Sequence, residues 1–156
     1  MVIDASVLTD MWIISRPRHS QAVQLARLIQ SKDLKPMIPM HAVLELKCAI
    51  DSERCIPGKG ELDPDIFSES APLAITPVAI DGYFLREYHD LTVPFMKAGD
   101  LPYVLIAKRH NCALITEDIR QYKVAKRFGV NVYTISEYLN ASMKKVKPVP
   151  GSKVAG

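Results

Sequence analysis

The chain has 156 residues, enough for one domain with a sizeable core, and its 48% apolar and 24% charged residues suit a globular protein. A formal net charge of +3 permits a polyanionic partner without demanding one. No apolar run reaches bilayer length, no basic-then-apolar leader opens the chain, and three cysteines form neither a close metal-binding pair nor an even disulfide framework, so a cytoplasmic, reducing setting without a membrane is expected.

In chain order, Met1 to Asp4 reads as a short buried strand, and Val7, Leu8, Met11 and Trp12 give Ala5 to Ile14 a helical spacing. Arg16-Pro17-Arg18 breaks that segment. His19 to Ser31 is amphipathic, with Ala22, Leu25, Ala26 and Ile29 on one face. Met37-Ile38 reads as a short extended piece, and Met40 to Ile50 as a helix apolar on most sides and hence buried. From Asp51 to Ala71 the pattern dissolves among Pro57-Gly58, Gly60 and Asp63-Pro64, an excursion of loop or short helix. A strand over Leu73 to Val78 follows, then a helix over Ile80 to His89 and a connection over Leu91 to Ala98. Leu101 to His110 is helical, Ala113 to Thr116 a strand, and Ile119 to Phe128 a basic-faced helix closed by Gly129. Val130 to Ile135 is the last strand, and Ser136 is expected to cap the final helix. The domain is expected to span 1–143 and a frayed tail 144–156, rich in Pro and Gly. Strands alternating with helices of ten or so residues imply an α/β fold with a mostly parallel sheet.

In such a sheet functional groups collect at the carboxyl ends of the strands. Asp4 and Asp118 both stand there, although a lone Asp after a strand is ordinarily a turn residue or a helix N-cap. Glu45 sits in an apolar helix, where a carboxylate is costly to bury unless paired or bound to a metal; an ion pair elsewhere in the fold is the competing explanation. Asp100 opens a helix with Pro102 in its first turn, for which an N-cap is the ordinary local account. Glu117 alternates to the other face from Asp118 and ranks second to it. If the four acids converge, like charges repel and one would be protonated unless a cation neutralises them. An all-oxygen set suits Mg²⁺ or Mn²⁺, whose natural chemistry is phosphodiester hydrolysis. The four histidines lack zinc-ligand spacing. Lys108, Arg109, Arg16, Arg18, Lys123, Lys126 and Arg127 read as solvated faces, with Arg120, close to Asp118, the one substrate-binding candidate.

These pieces together resemble a PIN-domain nuclease, most closely the VapC-like toxins of prokaryotic toxin–antitoxin pairs. The pieces are Ile3-Asp4-Ala5-Ser6, Val43-Leu44-Glu45-Leu46, Asp100 opening a late helix, and Thr116-Glu117-Asp118 at a strand end, spread over nearly the whole chain. The resemblance implies a three-layer α/β fold and a metal site on Asp4, Glu45, Asp100 and Asp118, supported by the hydroxyls of Ser6 and Thr116. It implies a metal-dependent endoribonuclease that cuts RNA with activated water, works as a homodimer, and is inhibited by a small antitoxin. Two alternatives remain. One is a PIN-like module binding RNA or protein without catalysis, suggested by the long mid-chain excursion. The other, an Asp-nucleophile phosphatase, needs a second Asp where this chain has Ser6.

Overall fold

The computed structural model describes residues 1–54, 71–93 and 95–144, the side chain of Arg54 excepted. These residues form an α/β fold, a five-stranded all-parallel sheet flanked by seven helices. The strands are β1 (Val2–Ile3), β2 (Met37–Pro39), β3 (Thr76–Val78), β4 (Leu114–Ile115) and β5 (Val132–Tyr133). The helices are α1 (Ala5–Trp12), α2 (His19–Ser31), α3 (Met40–Arg54), α4 (Gly82–Glu87), α5 (Leu101–Arg109), α6 (Ile119–Arg127) and α7 (Ile135–Lys144).

The strand order is β3-β2-β1-β4-β5, with Val2 beside Met37 on one flank and Leu114 on the other. From β1 the chain moves outward through β2 to β3, then crosses back to β4 and continues outward the other way to β5. Right-handed crossovers therefore place the helices before β3 on one face and those between β3 and β5 on the other. The packing agrees. The first helix, α1, lies against α2 and α3, while α5 spans β1, β2 and β4. Between β1 and β4 the direction of winding reverses. A parallel sheet presents its binding crevice at such a point, outside the carboxyl ends of the strands.

The two central strands, β1 and β4, are covered on both faces and read as continuous apolar pairs, whereas the edge strand β3 is partly exposed. Val2, Ile3, Leu114 and Ile115 are fully buried. Leu73 is buried but lies ahead of β3, and the predicted strands over 113–116 and 130–135 shrink to two residues each.

Two further expectations are corrected. Met40 to Ile50 is helical but not buried on most sides. Its core stripe is Ala42, Val43, Leu46 and Ile50, whereas Leu44 is 63% exposed and Glu45 is exposed beside it. The final helix is capped by Thr134 rather than Ser136. Thr134 Oγ1 accepts from the Glu137 amide at 3.2 Å and Glu137 Oε2 accepts from the Thr134 amide at 2.8 Å, a reciprocal capping box. Of the predicted excursion, 51–54 form the last turn of α3 and 55–70 lie outside the described residues, as does the tail beyond Lys144. None of the described helices is long and apolar enough to cross a membrane.

Candidate active site

Asp4 is the residue after β1 and the N-cap position of α1, and its amide donates to Ile115 O at 3.0 Å. That bond ties the end of β1 to the end of β4 and sets Asp4 at the carboxyl ends of both strands. The carboxylate does not cap its own helix. Instead Oδ2 accepts from Ser6 Oγ at 2.6 Å and from Thr116 Oγ1 at 3.0 Å. Ser6 comes from the first turn of α1, which is otherwise buried, and Thr116 directly follows β4 and is itself fully buried. Burial pushes the Asp4 carboxyl above the usual carboxylate range; the two hydroxyls and the Ala5 amide pull against that rise, and the Glu45 charge adds to it. No cation among the described residues neutralises Asp4.

Thr116 has a second partner, because its Oγ1 accepts from the Asp118 amide at 3.0 Å. One hydroxyl thus couples the strand-end aspartate of β1 to the turn carrying Asp118. Asp118 is the N-cap of α6, its Oδ1 accepting from the Arg120 and Gln121 amides at 2.7 and 2.9 Å. Asp100 stands at the N-cap position of α5 but makes no capping bond; its backbone is already helical there, with φ −82 and ψ −24. The ordinary local account of Asp100 therefore fails, and its carboxylate is left for other work. Partial burial raises the Asp100 carboxyl, Asp118 raises it further, and Lys97 and His41 oppose the rise.

Glu45 reaches the same crevice from α3. Its exposure removes the burial cost expected from sequence, yet its charge is felt at both Asp4 and Tyr103. The four acids thus act on one another in pairs: Asp4 with Glu45, and Asp100 with Asp118. Among the described residues, no three His, Cys, Asp or Glu side chains are gathered tightly enough to hold a metal ion as they stand. The donor chemistry nonetheless fits a hard divalent ion. The groups are carboxylates, they repel, and the most buried of them lacks a counter-charge.

Three further residues shape the site and were not singled out from sequence. Tyr103, in the first turn of α5, is almost wholly buried, and its hydroxyl has no hydrogen-bond partner among the described residues. Burial drives that hydroxyl far above its ordinary range, and Asp4, Glu45 and Asp100 add to the shift, so it stays a neutral donor among carboxylates. His41 Nε2 donates to Gly99 O at 2.9 Å and its ring meets Tyr103 edge-on at 5.4 Å. It fastens α3 to the turn before Asp100. Gln121, 1% exposed, reaches Asp100 O through Nε2 at 3.5 Å. The i, i+4 spacing of His41 and Glu45 on α3 was the available signal for the histidine; nothing in an apolar helix distinguishes Tyr103 from core.

Five of the remaining charged candidates are otherwise engaged. Glu117 turns away, accepting from the Ile135 amide at 2.8 Å and lying 3.6 Å from Arg18. Arg16 and Arg18 hold the buried Asp10 at 3.4 and 2.7 Å. Lys108 Nζ donates to Phe128 O at 3.0 Å, and Arg109 pairs with Asp90. Arg120 makes no ion pair among the described residues and lines a pocket together with Asp100 and Asp118.

A scan against protein-family models finds no match for this chain, and no curated protein matches it either.

Proposed function

We propose that this chain is a divalent-metal-dependent endoribonuclease that hydrolyses RNA phosphodiester bonds. The observation that carries the reading is Asp4. It is a buried carboxylate at the reversal point of the sheet, oriented by two hydroxyls, faced by Glu45, and without a cation. A protein stabilises such a group poorly in isolation, so its retention argues for a ligand. Asp4, Glu45, Asp100 and Asp118 would hold Mg²⁺ or Mn²⁺. When bound, such an ion polarises a phosphoryl oxygen, makes water nucleophilic near neutral pH and stabilises the departing oxygen.

The chain's own residues do the positioning. Ser6 and Thr116 fix the Asp4 carboxylate through the same oxygen, which leaves Oδ1 unclaimed by either hydroxyl. The α6 amides occupy Oδ1 of Asp118 and so fix its orientation. Tyr103, kept protonated by burial and by its acidic neighbours, offers a neutral hydroxyl donor beside them. Arg120 stands one residue beyond the start of α6, where a cation can meet a substrate phosphate.

The direct test is RNA cleavage with Mn²⁺ and with EDTA. Cleavage is expected to require the metal and to fall at least about a hundredfold in Asp4→Asn. Metal-independent cutting, or full activity in that variant, defeats the reading. The toxin of a toxin–antitoxin pair is the biological role we infer. It would act as a homodimer, with a small antitoxin as partner, and a short DNA-binding protein encoded beside this chain is its expected companion.

One observation favours a second reading, a catalytically silent RNA- or protein-binding module: no three metal-ligating groups stand together among the described residues. Calorimetric titration with Mn²⁺ separates the two. Heat of binding lost in Asp4→Asn supports the nuclease, and none in the parent chain supports the module.

A further inference from the structure

Beside the carboxylates lies a second feature, a pocket of about 320 Å³ between the loop before α5 and one face of α6. Its volume falls in the range of small-molecule sites, about 300–1,000 Å³. Asp100 and Asp118 are among its lining residues. From α6 it receives Arg120, Lys123 and Arg127, spaced at i, i+3 and i+7 and therefore on one side of the helix. None of these three makes an ion pair among the described residues, although carboxylates stand close by. From the loop it receives Lys97 and Phe95. The loop is anchored where it meets the helix, because Lys97 O accepts from the amides of Asp100 and Leu101 at 3.0 and 3.1 Å.

Phe95 is 99% exposed, the most exposed large apolar side chain among the described residues. An aromatic ring left wholly in water gains nothing for the fold, and here it borders a row of cations.

The ligand that answers both features carries repeated negative charge and a flat ring with a free face. An acidic peptide answers the cations but not the ring. Duplex nucleic acid answers the cations but hides its base faces in the stack. A single-stranded RNA answers both. We propose that this pocket seats a nucleotide of single-stranded RNA next to the carboxylates, its base stacked on Phe95 and its backbone along Arg120, Lys123 and Arg127. The inference rests on the nuclease reading for its choice of RNA, and it deepens that reading by assigning Phe95 and the cations of α6 to the nucleotide beside the carboxylates.

The test is fluorescence anisotropy on the full chain in EDTA, with a short end-labelled single-stranded RNA and with the duplex of the same sequence. Single strand is expected to bind more tightly than duplex. Phe95→Ala is expected to weaken single-strand binding roughly 5- to 100-fold, and Phe95→Trp to restore it. Lys123→Gln with Arg127→Gln is expected to reduce the slope of log affinity against log salt by about 0.7 for each contact removed. Tyr83→Ala, an exposed aromatic on α4 covered by Arg86 and outside this pocket, is expected to leave binding unchanged. Equal affinity in Phe95→Ala, preference for duplex, or no RNA binding at all overturns the proposal; the last would leave a protein segment as the occupant. Cleavage with Mn²⁺ is scored separately. Cutting that ignores Phe95 sinks the subsite and spares the nuclease. Phe95-dependent binding without cutting sinks the nuclease and spares the subsite.

Discussion

Thr116 has the most demanding position of any single residue here. It is fully buried, its hydroxyl donates to Asp4, and the same oxygen accepts from the Asp118 amide. Replacing it by the near-isosteric valine keeps the volume but strands one amide and removes a donor from a buried carboxylate. Each loss is of the order of 1–3 kcal/mol. Together they come to roughly 2–6 kcal/mol, so Thr116→Val is expected to lower Tm by roughly 4–24 °C, at about 2–4 °C per kcal/mol for a chain of this size. Thr116→Ser should recover most of the loss, because it restores the oxygen and sacrifices only a methyl group. Thermal melts of the three chains check this; a valine variant as stable as the parent would mean the hydroxyl carries little. The residues of this chain were unevenly legible. Thr116, Asp4 and Asp118 could be placed from sequence because strand ends are marked by the switch from apolar to polar. Asp100 looked like a cap and is not one, since its backbone enters the helix a residue early. Tyr103 could not be found, because its role depends on three carboxylates arriving from distant parts of the chain.

Among the elements, α7 shows how a local signal can be read one step out of register. A Ser after an apolar run is a sound cap candidate, but Ile135 is fully buried in the first turn and the box is Thr134 with Glu137. The matching acid three residues on was the better guide. Glu137 also accepts from Tyr122 Oη at 3.2 Å, joining α6 to α7. The Thr134 amide, above all, holds its carboxyl below the usual carboxylate range. A depressed folded value means that the cap contributes stability above the ordinary range and loses it as pH falls through the folded value. Glu137→Ala is expected to cost about 1 kcal/mol at neutral pH, or about 2–4 °C in Tm, and little in strong acid. A variant with the same deficit at both pH values would argue against the cap. The helix α3 misled in a different way. Apolar residues on several sides suggested burial, but only one stripe meets the core and Leu44 faces outward. Periodicity gives the number of apolar positions, and only packing decides which of them are covered.

For the molecule as a whole, alternating strands and helices were enough to foresee a parallel sheet, but not the order of its strands. The order matters because it sets β1 beside β4 at the point where winding reverses, and so gathers residues from positions 4, 45, 100 and 118 around one crevice. Burial of these carboxylates, with their neighbours' charge adding to it, has a thermodynamic signature. Asp4 and Asp100 are both raised above the ordinary value of 3.8. Between that value and their folded values the native state holds more protons than the unfolded chain, so stability falls as pH rises through this window. Below it both states are protonated and the penalty disappears. Asp90 and Glu137 have the opposite sign, being lowered, and act largely below the same window. A difference between variant and parent isolates the site. In EDTA, Asp4→Asn is expected to gain Tm relative to the parent as pH is raised from about 4 to 7, since the amide escapes the cost of ionising in a buried place. A saturating divalent ion should reverse the ranking. At a hundredfold excess over its dissociation constant it stabilises the parent by about 2.7 kcal/mol, roughly 5–11 °C, and the variant far less. A Tm difference flat with pH would mean that Asp4 is not held at a cost. Equal gains from Mn²⁺ in both chains would place the ion somewhere other than this crevice.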